Sequence, residues 1–127
     1  YKRQHYEPTG LRVLTDEKWL SFVVEQVLSN ALKYTPDGGE VWLELEGPAT
    51  LCIRDNGMGI AAEDLPRIFQ KGYTGYNGRA DKKASGLGLY LCRRICQSLG
   101  HTITAQSVAG EGTSIHIGLE REQRWLE

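Results

Sequence analysis

Two hydrophobic periodicities follow one another in the first half of the chain. Across residues 17–34, apolar side chains recur at spacings of three and four, which predicts an amphipathic helix. The residues expected to face the core are Leu20, Val24, Val27, Leu28 and Ala31. The segment "TPDGG" (35–39) ends this helix, and Val41, Leu43 and Leu45 then alternate with polar residues, as in a half-buried strand. An amphipathic helix beside such a strand predicts an α/β fold in which helices cover one face of a sheet.

The rest of the chain alternates between the same two kinds of element. The predicted strands are residues 10–15, 40–47, 49–57, 101–108 and 113–120. A short helix is predicted at 61–69 and a longer one at 86–100, and Asp16 is placed to cap the first helix. The expected buried stripe of the longer helix is Leu87, Tyr90, Leu91 and Ile95. Paired strands with interspersed helices predict a mainly antiparallel sheet.

Length and charge exclude some classes of protein. At 127 residues the chain is in the size range of a single domain. Its formal net charge of −1 gives no reason to expect nucleic acid as a partner. No apolar run has the length of a membrane-spanning helix, and no signal-peptide pattern opens the sequence. Because the sequence begins at Tyr1 without an initiator Met, we expect it to be a piece of a longer protein.

The cysteines are expected to be reduced thiols packed in the core. Their number is odd, which does not suit a disulfide framework. Cys92 and Cys96 lie four residues apart on a predicted helix, with His101 following. Four ligands at a recognised spacing are missing there, so packed thiols are favoured over a metal site.

Polar residues share one edge of the first predicted helix. Gln26, Asn30 and Lys33 follow each other at spacings of four and three, which places them on one side of the helix. Such an edge is usually just solvated. An amide oxygen is nevertheless a suitable ligand for Mg²⁺, and a lysine one turn later can meet a phosphate.

The stretch "RDNGMGI" (54–60) places an acidic residue and two glycines directly after a strand. A buried carboxylate needs a donor, and the exocyclic amine of adenine would be one for Asp55. Gly57 and Gly59 would then let a flat base lie against bare backbone. A turn in which Asp55 binds its own backbone explains "DNG" equally well, so both interpretations stay open.

A third candidate region is the polar segment 70–86 and the helix after it. The segment carries basic residues and has no hydrophobic periodicity, which is typical of a functional lid: Lys71, Arg79, Lys82 and Lys83. Gly86 and Gly88 open the next helix, where free amides and the helix dipole favour phosphate. The P-loop pattern GxxxxGK[ST] is missing from the sequence, so a nucleotide site here is of another kind.

Taken in order, these motifs resemble the ATP-binding domain of bacterial sensor histidine kinases, in the GHKL superfamily. "EQVLSNALKYT" resembles the asparagine box, and "DNGMGI" and "GLGLYLC" resemble the first two glycine boxes. "IFQKGYTGYNGR" resembles the phenylalanine box, and "GEGTS" resembles the last glycine box. The resemblance spans about residues 11–119. Within it, "FVVEQVLSNALKY" and "KGYTGYNGR" are most similar to short-sensor kinases of Gram-positive bacteria that respond to envelope antibiotics.

The resemblance implies the Bergerat fold, a two-layer α/β sandwich with a mixed, mainly antiparallel sheet of about five strands. Three helices would cover one face of that sheet. The ATP-binding kinase domain would span residues 11–120. Residues 1–10 would be a residual linker from a preceding helical domain, and residues 121–127 a C-terminal tail.

The same resemblance implies a site for ATP and Mg²⁺. Asn30 would hold the metal with Lys33 nearby, and Tyr34 would line the sugar or the base edge. Asp55 would accept from the adenine amine, and Thr113 would support Asp55. The other implied ATP-binding residues are Gly57, Gly59, Ile60, Phe69, Lys71, Gly72, Tyr73, Thr74, Gly86, Leu87, Gly88 and Leu89.

The phosphoryl acceptor is expected outside this chain. In the family it is a histidine on a helical dimerisation domain, and a response regulator acts downstream. His5, His101 and His116 do not stand in the helical setting expected of an acceptor. The resemblance therefore implies a cytoplasmic domain of a membrane-anchored homodimer, which does little without its acceptor domain.

One departure from the superfamily concerns catalysis. Its ATP-hydrolysing members carry a glutamate one helical turn before the metal-binding asparagine, where this chain has Gln26. Glu25 is adjacent, but one residue moves it about 100° around the helix, so both are weak catalytic candidates. The alternatives are a serine-phosphorylating anti-sigma-type kinase, an ATPase of the same superfamily, or a degenerate docking module without catalysis.

Overall fold

The computed structural model describes residues 2–6, 16–73 and 87–119. Five strands lie in these ranges: β1 Arg3–Tyr6, β2 Glu40–Glu46, β3 Thr50–Asp55, β4 Thr102–Val108 and β5 Gly112–Gly118. The two α-helices there are α1 Glu17–Lys33 and α2 Gly88–Leu99, and a 3₁₀ helix covers Leu65–Arg67.

The strands form one sheet in the order β1-β2-β3-β5-β4. β1 pairs with β2 in parallel, whereas the other three pairings are antiparallel. Both predicted hairpins, β2-β3 and β4-β5, are present. The prediction of a mixed, mainly antiparallel sheet of about five strands is thus confirmed.

The edge strand β1 lies in the segment that was predicted to be a linker. That segment is residues 1–10, and Arg3 N donates to Gly39 O at 3.0 Å. Four residues are too few to produce a periodic signal, and the strand exists because the edge of β2 offers it backbone partners. The strand predicted at 10–15 lies outside the described ranges.

Helix α1 packs on the sheet largely as its periodicity predicts. Asp16 caps it by accepting from Trp19 N at 3.1 Å, as expected. Val27 and Ala31 are buried, and three of the other predicted residues pack against the core while partly exposed: Leu20, Val24 and Leu28. Val23, which was not predicted, is completely buried.

The predicted stripe of α2 is wrong at two positions. Leu87 and Leu91 are 36% and 39% exposed, whereas Cys92 and Cys96 are buried between the helix and its neighbours. Cys92 Sγ donates to Val23 O of α1 at 3.8 Å, and burial raises the pKa of Cys92 to about 12. The expectation of reduced core thiols is confirmed, since all three cysteines are free and buried.

Within the described residues, the segment predicted as a third helix contains less helix than predicted. Residues 61–69 were expected to form a third helix, but only Leu65–Arg67 are helical, in a 3₁₀ turn that contains Pro66. Proline lacks the backbone donor needed to extend a helix in the N-terminal direction. None of the helices in the described ranges is long and apolar enough to cross a membrane.

Candidate functional site

Asp55 is the last residue of β3 and lies opposite Thr113 of β5. Its side chain is partly buried, and Oδ1 accepts from Gly57 N at 2.9 Å. Burial raises the pKa of this carboxyl, while the backbone N–H groups of Gly57 and Thr113 oppose the rise. The hydrogen bond from Asp55 to its own backbone turn, which was one of the two interpretations of "DNG", is therefore present. The same carboxylate is also desolvated.

The turn after Asp55 covers residues 56–60 and is called the glycine turn below. Backbone hydrogen bonds hold it on two sides. Met58 N donates to Tyr34 O at the end of α1, at 3.4 Å. On the other side, Gly110 N donates to Met58 O at 2.7 Å. The turn thus connects the end of the long helix with the β4-β5 turn, although these three segments are far apart in sequence.

The two glycines of this turn are required by close approaches. Gly57 is buried, and a Cβ there would lie 2.5 Å from Tyr34 O. Gly59 has a φ of +73°, and a Cβ there would collide with Val108 O. Side chains are excluded at both positions because neighbouring backbone already fills the space.

Ser107 of β4 is a structural residue of the site that the sequence analysis missed. Its Oγ accepts from Ile60 N at 2.7 Å and donates to Gly112 O at 2.8 Å. The same atom lies 2.8 Å from Thr113 Oγ1. One hydroxyl therefore connects the glycine turn with both strands of the second hairpin, next to the β4-β5 turn. The alternation of "TITAQSV" could have identified it, because alternate residues of a strand share a face and Ser107 therefore lies with Ile103 and Ala105 on the helix-covered side.

The polar edge of α1 lies next to the start of α2. A Cβ at Gly88 would lie 3.0 Å from Gln26 Oε1, so the glutamine side chain occupies this junction. Asn30 is partly buried and Glu25 is exposed, while Lys33 Nζ lies 5.4 Å from the centre of the Tyr34 ring. Among the described residues, the N-cap position Leu87 provides no side-chain capping hydrogen bond to α2, and the N–H groups of a first helical turn need acceptors from outside the helix.

The other implied ATP-binding residues of the described ranges differ in exposure. Ile60, Phe69 and Tyr73 pack against the core, as does Leu89 of α2. Lys71 and Gly72 are exposed. The remaining predicted residues of this region lie outside the described ranges: Thr74, Arg79, Lys82, Lys83 and Gly86.

Together these contacts form one edge of the molecule, at the ends of β3, α1 and the β4-β5 turn. The desolvated Asp55 carboxylate lies beside a turn whose two glycines pack against neighbouring backbone, and the start of α2 lies beside Gln26 of α1. The carboxylate can accept from an amine, and the helix start can bind an anion. Asp55 and the helix start suit a ligand that carries an amino group at one end and phosphates at the other.

The sequence matches known proteins over most of its length. Residues 15–123 match the model of the family of histidine kinase-, DNA gyrase B-, and HSP90-like ATPases. The sensor histidine kinase GraS of Staphylococcus epidermidis is 39% identical over 119 residues, which is 91% of this chain and 34% of that protein. YxdK, a sensor histidine kinase of Bacillus subtilis, is 41% identical over 111 residues, with 84% of this chain and 34% of YxdK covered.

Another relative, the sensor protein BceS of Halalkalibacterium halodurans, is 38% identical over 117 residues, or 90% of this chain and 35% of BceS. The chain thus spans about a third of the length of these relatives.

Solved structures agree with the sequence matches. The mycobacterial sensor histidine kinase MprB is similar with a TM-score of 0.76 at 28% identity, over 93% of this chain and 80% of that one. The catalytic domain of the histidine kinase ThkA has the same fold, with a TM-score of 0.73 at 20% identity over 94% of this chain and 78% of ThkA's. The chain therefore belongs to the family of histidine kinase-, DNA gyrase B-, and HSP90-like ATPases, and its similar relatives are sensor histidine kinases.

Proposed function

We propose that this chain is the ATP-binding catalytic domain of a two-component sensor histidine kinase. It binds Mg-ATP and donates the γ-phosphoryl group to a histidine on a dimerisation domain outside this chain. The observation that carries the proposal is the half-buried Asp55 carboxylate, the pKa of which is raised by burial, at the start of a turn whose two glycines pack against neighbouring backbone. Desolvation makes this carboxylate a strong acceptor for the amine of adenine and a poor partner for a base that presents a carbonyl there.

The fit to adenine extends beyond one hydrogen bond. Gly57 and Gly59 let the turn beside Asp55 pack closely against Tyr34 and Val108, and the partly buried Ile60 follows this turn. Ser107 and Thr113 hold the carboxylate's surroundings in place through the shared hydroxyl contact. A flat, mostly apolar base with one amino group suits this arrangement better than a sugar or a peptide does.

The fit to a metal-bound triphosphate rests on the junction of α1 and α2. The uncapped first turn of α2 offers backbone amides to phosphate, and the partly buried Asn30 offers an amide oxygen to Mg²⁺. Lys33 and Lys71 are exposed cations that can add positive charge for the phosphates. When bound, Mg²⁺ neutralises charge on the phosphates during transfer.

Phosphoryl transfer to a partner suits the residues of this chain better than hydrolysis. Gln26 of α1 lies beside Gly88 at the start of α2, and the amide of its side chain cannot act as a general base. The three histidines are also placed away from any acceptor helix: His5 lies in β1, His101 between α2 and β4, and His116 in β5. The acceptor histidine therefore belongs to another part of the protein.

The relatives' descriptions as sensor kinases support further steps of the proposal. The parent protein is a membrane-anchored homodimer with this domain in the cytoplasm. A response regulator receives the phosphoryl group downstream.

The test combines binding with transfer. Calorimetry with millimolar Mg-ATP should give a heat of binding that is much smaller with Mg-GTP, and a docking module would give none. Adding the parent's own dimerisation domain and γ-labelled ATP should give an acid-labile, alkali-stable label on that domain. An acid-stable label on a protein substrate would favour the serine kinase. Rapid ATP hydrolysis by the isolated chain would favour the ATPase, and either outcome would overturn the proposal.

A further inference from the structure

The sheet has a second face, which α1 and α2 do not cover, and it carries a cluster of three different ligand types. Glu46 of β2, Cys52 of β3 and His116 of β5 each place one donor atom within 4.8 Å of the other two. The strand alternation explains why they meet. Cys52 lies directly opposite His116, and Glu46 lies on the neighbouring strand, diagonal to Cys52 on the same face. Asp55, three residues after Cys52, points to the helix-covered face, so the cluster is separate from the proposed ATP site.

Two features of the cluster suit a ligand. Cys52 is only 3% exposed, and its thiol is free. His116 has a side chain 17% exposed, and its Nδ1 lies 3.3 Å from Glu46 Oε1. Nδ1 is therefore the imidazole nitrogen that can share a ligand with Glu46, and Nε2, which has no hydrogen-bond partner within the described ranges, does not contribute.

We propose that Glu46, Cys52 and His116 bind a thiophilic divalent cation, of which Zn²⁺ is the representative. Thiolate, imidazole and carboxylate are the three side-chain ligands that Zn²⁺ takes, and three of them leave one position open. Tetrahedral coordination requires ligand atoms about 3.5 Å apart. The contact between Glu46 Oε1 and His116 Nδ1 at 3.3 Å already has this spacing, and because all three donor atoms lie within 4.8 Å of one another, Cys52 needs to approach by at most about 1.3 Å.

The open position faces a groove on the same side of the sheet. This groove has a volume of about 390 Å³ and is lined by Glu46 and His116 together with Thr50, Thr104 and Gln106. Water can reach the cation from the groove and supply the fourth ligand. A hard cation such as Mg²⁺ prefers oxygen ligands in octahedral geometry, so the cluster selects against the metal proposed for the ATP site.

The test uses CoCl₂ as a spectroscopic probe and ZnCl₂ as the competitor, both with the whole chain. Co²⁺ should bind at one equivalent and give a thiolate-to-cobalt charge-transfer band in the near ultraviolet. Zn²⁺ should displace it, whereas excess Mg²⁺ should not. Cys52→Ser should abolish the band, and His116→Gln and Glu46→Gln should each weaken binding by at least about 10-fold, the loss usual for the groups that merely support ligands.

Glu44→Gln is the matched control, because Glu44 is a carboxylate on the same strand and face that pairs with Arg54 instead. Glu44 lies directly opposite Cys52, so this variant changes the charge beside the thiol but removes no ligand, and it should weaken Co²⁺ binding clearly less than Glu46→Gln does. No charge-transfer band in the unsubstituted chain, a band that persists in Cys52→Ser, or equal losses in Glu44→Gln and Glu46→Gln would each overturn the proposal. If Cys52→Ser does not fold, the two variants at the more exposed Glu46 and His116 still decide it. Mg-ATP binding should be unaffected in Glu46→Gln, which separates this site from the proposed function.

Discussion

At the scale of single residues, Asp55 combines a stability cost with a proposed binding role. Burial raises its pKa, so the folded state favours the protonated form more than the unfolded chain does. The stabilisation of the folded state that results from this raised pKa is fully present below the pKa of Asp in the unfolded chain, about 3.9. It is lost as pH rises through the pKa that Asp55 has in the folded state. We therefore expect Asp55→Asn to raise Tm relative to the parent chain at neutral pH but not at about pH 3. A difference in Tm that is the same at both pH values would contradict this.

The same substitution should weaken nucleotide binding. Loss of a charge-assisted hydrogen bond removes about 1.5–3 kcal/mol, or roughly 10- to 100-fold in ATP affinity. GTP affinity should change less, because Asp55 favours an amine over a carbonyl. Calorimetry with both nucleotides measures the two losses. Equal losses for ATP and GTP would show that Asp55 does not select the base.

Ser107 acts at the same scale through its three contacts. Ser107→Ala leaves Ile60 N and Gly112 O without this partner, and we expect a loss of about 1–3 kcal/mol in the free energy of unfolding by urea. Ser114→Ala is the control, since Ser114 lies on the opposite face of the adjacent strand. A loss as large in the control would show that any serine in this hairpin matters equally.

At the scale of elements, the glycine turn depends on how closely backbones approach. Gly59 and Gly110 both have positive φ, +73° and +84°, but only Gly59 faces neighbouring backbone that a Cβ would hit. Gly110→Ala should cost about 1 kcal/mol for the left-handed conformation alone. Gly59→Ala should cost clearly more and also weaken ATP binding. Similar urea midpoints for the two variants would mean that the turn can move away from Val108.

At the scale of the whole molecule, one core joins the sheet to both helices. Ile53 of β3 is 1% exposed and belongs to a cluster that includes Val27 of α1 and Cys92 of α2. Ile53→Ala should therefore cost about 2–5 kcal/mol, whereas Leu91→Ala, 39% exposed on α2, should stay within about 1 kcal/mol. Urea unfolding followed by far-ultraviolet circular dichroism measures both. Equal losses would place Leu91 in the core, as its periodicity had wrongly predicted.

Much of the fold was predictable because it follows from local periodicity. The alternation of Val41, Leu43 and Leu45 and the three-and-four spacing in α1 are properties of neighbouring residues, so β2 and α1 were predicted almost to the residue. Strand β1 and the buried face of α2 were not. β1 exists through a parallel partner more than thirty residues away, and α2 buries two cysteines that hydropathy alone did not separate from its leucines.

By itself, the sequence determined the strand and helix periods, the order of motifs and the family, because each of these depends on residues that are close together in the chain. Only the tertiary structure decided that Asp55 is desolvated, that Ser107 ties the glycine turn to the second hairpin, and that Glu46, Cys52 and His116 meet. Each of these depends on strand register and on what lies across the sheet. Such contacts join residues distant in the chain, and no local pattern encodes them.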